Sequence, residues 1–314
     1  MTQISEIATT ASTRAAAAGA WKRPQSRYRA HVSATDSTGY PALPGRYHLY
    51  VSLACPWAHR TMIVRRLKGL EHAIGLTIVD PIRDERGWAF TGAPGTDLDP
   101  LHGFGFLSQV YDLTEQRRHH VSVPVLFDKE TNRIVNNESS EIIRMLGSEF
   151  DAFTDVRLDL YPEALRDEID ELEGEVYTNV NDGVYKCGFA ASQEAYDEAV
   201  RALFGTLDRL EARLGTLRYL HGDRITEADW RLFTTLVRFD PIYHTHFKCN
   251  LRLIADSPNL LGFTRELYQV PGVAETVDID QIKRHYYLTH PQLNPRRIVP
   301  ISNGPDLSAP HGRG

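Results

Sequence analysis

Cysteine is scarce in this chain: 3 among 314 residues, at positions 55, 187 and 249. An odd, low count argues against a disulfide framework and fits a reducing compartment where a reactive thiol persists, so the cytoplasm is the expected location. An excess of basic charge is also lacking. The net charge is -6, and the dispersed lysines and arginines form no extended face for nucleic acid or an anionic membrane. No apolar run approaches the roughly 18 residues of a membrane span, and the opening Met1 to Ala8 lacks the charged-then-apolar order of a secretory signal. Gly103-Phe-Gly105 has neither the third glycine nor the strand-to-helix context of a dinucleotide site, and no phosphate-cradling loop of the Walker type occurs. What is present is ordinary globular composition, 42% hydrophobic and 24% charged, in a length sufficient for about two domains.

One thiol stands out. Residues 47 to 52 alternate and are rich in Tyr and Val, as strands are. Pro56 suits a first helical position, and Met62, Ile63, Arg66 and Leu67 follow at helical spacing. Cys55 therefore sits where a strand becomes a helix, and the free amides and positive dipole end there favour a thiolate, whose pKa in such places falls to roughly 3.5–7.5. His59 and Arg60 are expected to add positive charge. A redox dithiol needs a second cysteine at 58, but Ala58 is there, so a disulfide formed by Cys55 is resolved by an outside thiol, glutathione in the first instance.

Residues 1–45 read as a polar, Pro- and Gly-punctuated arm without evident chemistry. From Arg46 the pattern runs strand, helix, strand (74–80), and then a long excursion (81–120) read as a functional loop. A strand at 121–128, a turn, a strand at 133–135 and a helix opening at 136–140 follow. A β-α-β unit completed by β-β-α makes a small α/β domain over 46–150 with its site at the strand-to-helix switch. Beyond Pro162 everything reads as helix: Leu165, Ile169, Leu172 and Val176 keep helical spacing, as do Ala199 to Leu214, and Thr226-Glu-Ala-Asp229 is a capping box. Residues 161–290 form the second, helical domain, and 291–314 an irregular tail.

Several further residues are candidates for chemistry. Val123-Pro124 precedes a strand; a cis proline there would turn the Val123 carbonyl and amide toward Cys55 for a bound peptide to pair with, whereas an ordinary edge-strand proline is the plain alternative. Glu138-Ser139 stands at a helix start that suits an α-amino acid end, with Glu138 for the ammonium and Ser139 for the carboxylate, although simple capping also explains Ser139. In this order, thiol, proline and acidic helix start are the layout of a glutathione site. Trp88 is a cover over that site or a loop anchor. Tyr185 is an acid or base, or a packed core tyrosine, and Tyr243 and Tyr286 on composition alone read as core. His244, His246 and Cys249, with His119-His120 or His285, lack the paired spacing of structural zinc, so no metal is expected, and Cys187 and Cys249 read as small buried residues.

The chain resembles the glutathionyl-hydroquinone reductases, the Xi class of the glutathione transferase superfamily, over nearly its full length. The carriers are Ser52-Leu-Ala-Cys55-Pro-Trp-Ala-His-Arg60, Ser122-Val-Pro124-Val-Leu, Asn136-Asn-Glu138-Ser139-Ser140, Asn181-Asp-Gly-Val-Tyr185-Lys-Cys-Gly-Phe-Ala, Thr226-Glu-Ala-Asp229, Arg238-Phe-Asp-Pro-Ile-Tyr243 and Asp306-Leu-Ser-Ala-Pro-His-Gly. The resemblance implies a thioredoxin-like N-terminal domain, an all-helical C-terminal domain, a homodimer, and reduction of S-glutathionyl-hydroquinones through a Cys55-glutathione mixed disulfide. It implies glutathione contacts from Trp88, His120, Val123, Glu138 and Ser139, with His120 standing where the family often has arginine. Tyr185 becomes the proton donor or acceptor, and Tyr243 and Tyr286 lower the Cys55 pKa and face the quinol. The competing enzyme reading is a glutaredoxin-like thioltransferase or dehydroascorbate reductase on the same thiol; a binding protein with an inert Cys55 is the non-catalytic one.

Overall fold

The computed structural model describes residues 18–116 and 120–313. Its N-terminal half is built on a four-stranded mixed sheet of order β2-β1-β3-β4. Strand β1 (Tyr47–Val51) leads through Cys55 into helix α1 (Pro56–Leu67), and β2 (Gly75–Ile78) returns parallel to β1. Helix α2 (Leu107–Thr114) follows, then β3 (Val125–Asp128), antiparallel to β1, β4 (Arg133–Asn136), antiparallel to β3, and α3 (Ser139–Ser148). All five residues of β1 are buried, as befits a strand paired on both sides with both faces covered. With the helices that follow, this is the expected thioredoxin-like sheet joined to an all-helical half.

The excursion after β2 is not loop throughout, because α2 lies within it. Leu107, Val110 and Tyr111 are its buried residues, and their i, i+3, i+4 spacing was the available signal, masked by the Gly- and Asp-rich flanks. At the near end, Asp99 fixes the chain by accepting from the Tyr50 hydroxyl at 3.0 Å and from the amides of Leu101, His102 and Phe104.

The helical half comprises α4 (Arg166–Val176), a wide π-helical turn (Tyr177–Asn181), α5 (Gly183–Gly188), α6 (Gln193–Leu214), α7 (Glu227–Arg238), a second π-helical turn (Phe239–Tyr243), α8 (His244–His246), α9 (Pro258–Tyr268) and α10 (Ile279–Thr289). Every residue of α7 is buried, which makes it the axis of this half. Its start is the capping box read from the sequence: the Asp229 carboxylate accepts from Thr226 N at 2.7 Å, Thr226 Oγ1 at 2.9 Å and Leu220 N at 2.8 Å. Burial nevertheless pushes the Asp229 carboxyl up to about 6. Helices α1 and α7 pack together across the junction of the halves. There Arg144 of α3 reaches Glu227 of α7 at 2.7 Å and Asp170 of α4 at 2.5 Å.

The arm is no free tail. Ser192 Oγ donates to Ala18 O at 2.7 Å at the start of α6. Further on, Ala30 N donates to Val135 O at 3.0 Å and Asn137 N to Tyr28 O at 3.0 Å, so the chain pairs along the outer edge of β4. Between those anchors it passes over the strand-to-helix switch.

Replacing Asp229 with alanine strands two buried amides and a hydroxyl. Asp229→Ala is expected to lower stability by about 2–3 kcal/mol, read as a lower urea midpoint, while a midpoint within error of wild type would show that the cap is dispensable.

Candidate active site

Cys55 is the N-cap residue of α1, with Pro56 in the first helical position. Its Sγ lies 3.5 Å from the Val123 carbonyl oxygen, and the Val123-Pro124 peptide bond is cis. The backbone amides of Trp57 and Ala58 point at the sulfur. Although Cys55 is partly exposed at the cavity wall, it is set so deep among protein atoms that desolvation pushes its thiol above the ordinary range. Those two amides and the Arg238 and Arg23 guanidiniums pull in the opposite direction. Burial thus overrides the depressed pKa expected from the helix end alone.

The positive charge near the sulfur is only partly what the sequence indicated. His59 is fully buried and neutral: burial and neighbouring Arg238 hold its pKa well below the usual histidine value. Its ring bridges Arg238 Nη1 at 3.0 Å and Thr276 Oγ1 at 2.8 Å. Arg60 is buried at the domain junction, donating to Ser139 Oγ at 3.3 Å and Asn181 Oδ1 at 2.8 Å, while still attracted to the Cys55 thiolate. The buried cation behind the thiol is Arg238, at the end of α7. It donates to Leu53 O at 2.9 Å, Ala54 O at 3.0 Å and Thr234 O at 2.8 Å. It therefore fixes the two residues before Cys55 and sets a charge beneath them. Chemistry-bearing residues on α7 could be suspected from the buried stretch after its capping box, but nothing local indicates which strand they meet.

A two-part cavity opens from Cys55. One part, of about 440 Å³, is lined by Glu138, Ser139, Val123, Pro124, His120 and Trp57 among others, and by arm residues 23–29. Glu138, not Ser139, is the N-cap of α3. Its carboxylate accepts from Ser140 N at 3.2 Å and from Ser26 Oγ at 2.9 Å. Burial raises its pKa, but those hydrogen bonds and Arg60 outweigh burial, so the net shift is downward. A carboxylate with spare acceptor capacity beside a helix start accommodates an ammonium and carboxylate together.

The second part, of about 190 Å³, is lined by Cys55, Trp57, Arg83, Trp88, Tyr185, Phe189, Tyr286 and His290, with His120, Val123 and Arg23 shared between both parts. Trp88 is buried and stacked on His285 with ring centres 5.0 Å apart. It is wall and anchor at once. His120 is held below the ordinary histidine pKa by burial, with Arg83 and Arg23 adding to the effect.

The three tyrosines are brought together. Tyr185 OH lies 2.7 Å from Tyr286 OH, which lies 3.0 Å from Tyr243 OH. Tyr243 and Tyr286 are fully buried, and burial is the first reason that all three phenols are raised. Phe247 packs against Tyr185 and Tyr243 with ring centres 5.4 and 5.5 Å away. Gly188 permits that packing, since a Cβ there would stand 2.4 Å from the Phe247 ring. Only Tyr185 of the three meets the cavity beside the thiol as a partly buried ring; Tyr286 reaches it from behind.

The arm, read as a segment without evident chemistry, lines the cavity beside the thiol. Arg23 lies with its guanidinium carbon 4.5 Å from the Trp57 ring centre and 4.4 Å from that of Tyr185, and Ser26 binds Glu138 as described. No periodicity marks these residues; a cationic and aromatic cluster, Trp21-Lys22-Arg23 to Tyr28, is the one local signal.

Several of the residues weighed for zinc are otherwise engaged. His246 Nε2 contacts His290 Nδ1 at 3.2 Å, His285 Nδ1 donates to Pro81 O at 2.6 Å, and Cys249 is buried against Cys187. His119 lies outside the described residues. Among the described residues, the one group of carboxylates close enough to hold an ion is Asp170, Glu173 and Glu227, which Arg144 and Arg231 already bridge.

A thiol at a helix start beside a cis-proline loop, in a thioredoxin-like sheet joined to a helical half, defines a glutathione-transferase-type protein with a cysteine site. Family models agree: that for the glutathione S-transferase N-terminal domain matches residues 54–149, and that for the C-terminal domain matches 193–266. The glutathionyl-hydroquinone reductase YqjG of Escherichia coli is 52% identical over 303 residues, covering 94% of this chain and 92% of that protein. PcpF of Sphingobium chlorophenolicum, also a glutathionyl-hydroquinone reductase, is 49% identical over 286 residues, covering 90% of each. The glutathione-bound structure of YqjG superposes with a TM-score of 0.89, covering 91% of this chain and 96% of that one. The glutathione S-transferase Xi of Phanerochaete chrysosporium superposes at 0.87 with 49% identity, covering 90% and 97%. The chain belongs to the Xi class of glutathione transferases, the family of the glutathionyl-hydroquinone reductases.

If the Arg238 charge supports the thiolate, Arg238→Met shifts the pH midpoint of Cys55 alkylation by iodoacetamide upward and slows the reaction at pH 7 roughly three- to tenfold. Arg238→Lys is expected to retain most of the rate. Identical profiles for wild type and both variants would remove Arg238 from the electrostatics of the thiol.

Proposed function

We propose that this protein reduces S-glutathionyl-hydroquinones to hydroquinones, with Cys55 as nucleophile and glutathione as co-substrate. The observation carrying this reading is that the Cys55 sulfur and the Tyr185 phenol face one small cavity, with the Tyr286 and Tyr243 hydroxyls behind Tyr185 as a continuous hydrogen-bonded run. A plain disulfide exchanger needs the thiol alone.

The glutathionyl part of the substrate lies along the larger cavity, its γ-glutamyl end at Glu138 and Ser139, its backbone paired with Val123, and Trp88 and His120 beside the remainder. The aromatic ring lies in the smaller cavity against Tyr185. Tyr185 donates a proton to the ring carbon that bears sulfur while a ring hydroxyl loses one, giving the keto tautomer. The Cys55 thiolate then attacks the glutathionyl sulfur. A sulfur–sulfur bond forms, the carbon–sulfur bond breaks, and its electron pair restores the aromatic ring as a phenolate, which takes up a proton. A second glutathione thiolate displaces Cys55 from the mixed disulfide, releasing oxidised glutathione. The ring gains two electrons and the sulfur pair loses two, so no further oxidant or reductant is required. The helix-end amides and Arg238 stabilise the thiolate in both sulfur steps. Protein of this kind is expected as a homodimer in the cytoplasm; among the described residues no helix is long and apolar enough to cross a membrane.

With a glutathionyl-hydroquinone and excess glutathione, Cys55→Ala is expected to abolish hydroquinone release. Tyr185→Phe should lower it about a hundredfold, and more than it lowers exchange with a simple glutathione mixed disulfide. Glu138→Gln should raise the KM about tenfold by removing the partner of the ammonium. Exchange without any hydroquinone release in wild type would instead favour a general thioltransferase.

A further inference from the structure

We propose that Arg23, delivered by the N-terminal arm, is a positioning residue for Tyr185 that stabilises the negative charge appearing on this phenol when it gives its proton to the ring carbon. The inference rests on the reductase reading and adds to it a residue outside both regions matched by the glutathione S-transferase models. The geometry is specific. The guanidinium carbon packs on both Trp57 and Tyr185, 4.5 and 4.4 Å from their ring centres, which are themselves 6.4 Å apart. Its Nε donates to Asp182 Oδ1 at 2.6 Å. Asp182 immediately precedes α5, the helix that carries Tyr185, so cation and phenol are referenced to one backbone turn. Among the described residues, Nη2 is buried with no hydrogen-bond partner, leaving a guanidinium whose charge is only partly spent. Coulombic attraction to Arg23 opposes the upward pull of burial on Tyr185.

A cation over a neutral phenol gains little, but the same cation beside a phenolate gains considerably, so the contact strengthens as the proton leaves. An interaction stronger in the transition state than in the ground state accelerates the step in which it strengthens. Exchange of Cys55 with a simple glutathione mixed disulfide moves no charge onto Tyr185. Arg23 should therefore matter more for releasing a ring than for exchanging a disulfide.

The test compares kcat/KM for hydroquinone release from a glutathionyl-hydroquinone with kcat/KM for a glutathione mixed disulfide of a small thiol, in wild type, Arg23→Met and Arg23→Lys. Arg23→Met is expected to lower the release-to-exchange ratio about tenfold, and Arg23→Lys to recover most of it. Parallel loss of both reactions, no loss of either, or a lysine variant no better than methionine would overturn the assignment of Arg23. Wild-type protein that exchanges disulfides but releases no hydroquinone would overturn the reductase reading and the Arg23 assignment with it.

Discussion

The Arg238 guanidinium holds the strand-to-helix switch from inside the helical half. It donates to Leu53 O and Ala54 O, fixing the backbone that presents Cys55, and to Thr234 O on its own helix. A guanidinium fully removed from water is tolerable only when its donors are met, and here they are met by carbonyls from both halves. The sulfur's position therefore depends on how the halves are docked. That docking rests in turn on α7, whose complete burial and buried cap leave it little room to adjust.

Two opposing forces set the character of the thiol. The helix end and the nearby guanidiniums favour its ionised form, and the depth of the site opposes it. On the proposed mechanism depth serves the ring chemistry, since a proton moved between phenol and ring carbon at a buried site is shielded from exchange with solvent. The tyrosine run answers the same constraint: three phenols that burial keeps protonated can satisfy one another's hydroxyls without bringing in water. Apolar floor and polar chain coexist because Phe247 packs on the rings while their hydroxyls point together.

Much of this was legible in the chain. Cys55 with Pro56, Val123 with Pro124, and Glu138 at a helix start each announce themselves through short-range backbone chemistry, and the capping box at Thr226 located α7. What escaped depended on long-range partners. His59 looked like a charge beside the thiol, yet burial, helped by Arg238 179 positions away, keeps it neutral. Helix α2 was obscured by the glycines around it, and Ser139 yielded the cap to Glu138. The arm offered neither periodicity nor a motif, because its residues earn their places by draping over other elements.

That draping bears on how the protein keeps company with copies of itself. Strand β4 is the last in the sheet, and a bare edge of this kind is a template on which another chain can add a strand. Here the backbone at Tyr28 and Ala30 already occupies those donors and acceptors. Clipping the arm would thus take Arg23 from the site and uncover the sheet edge in one event, linking lost activity to self-association.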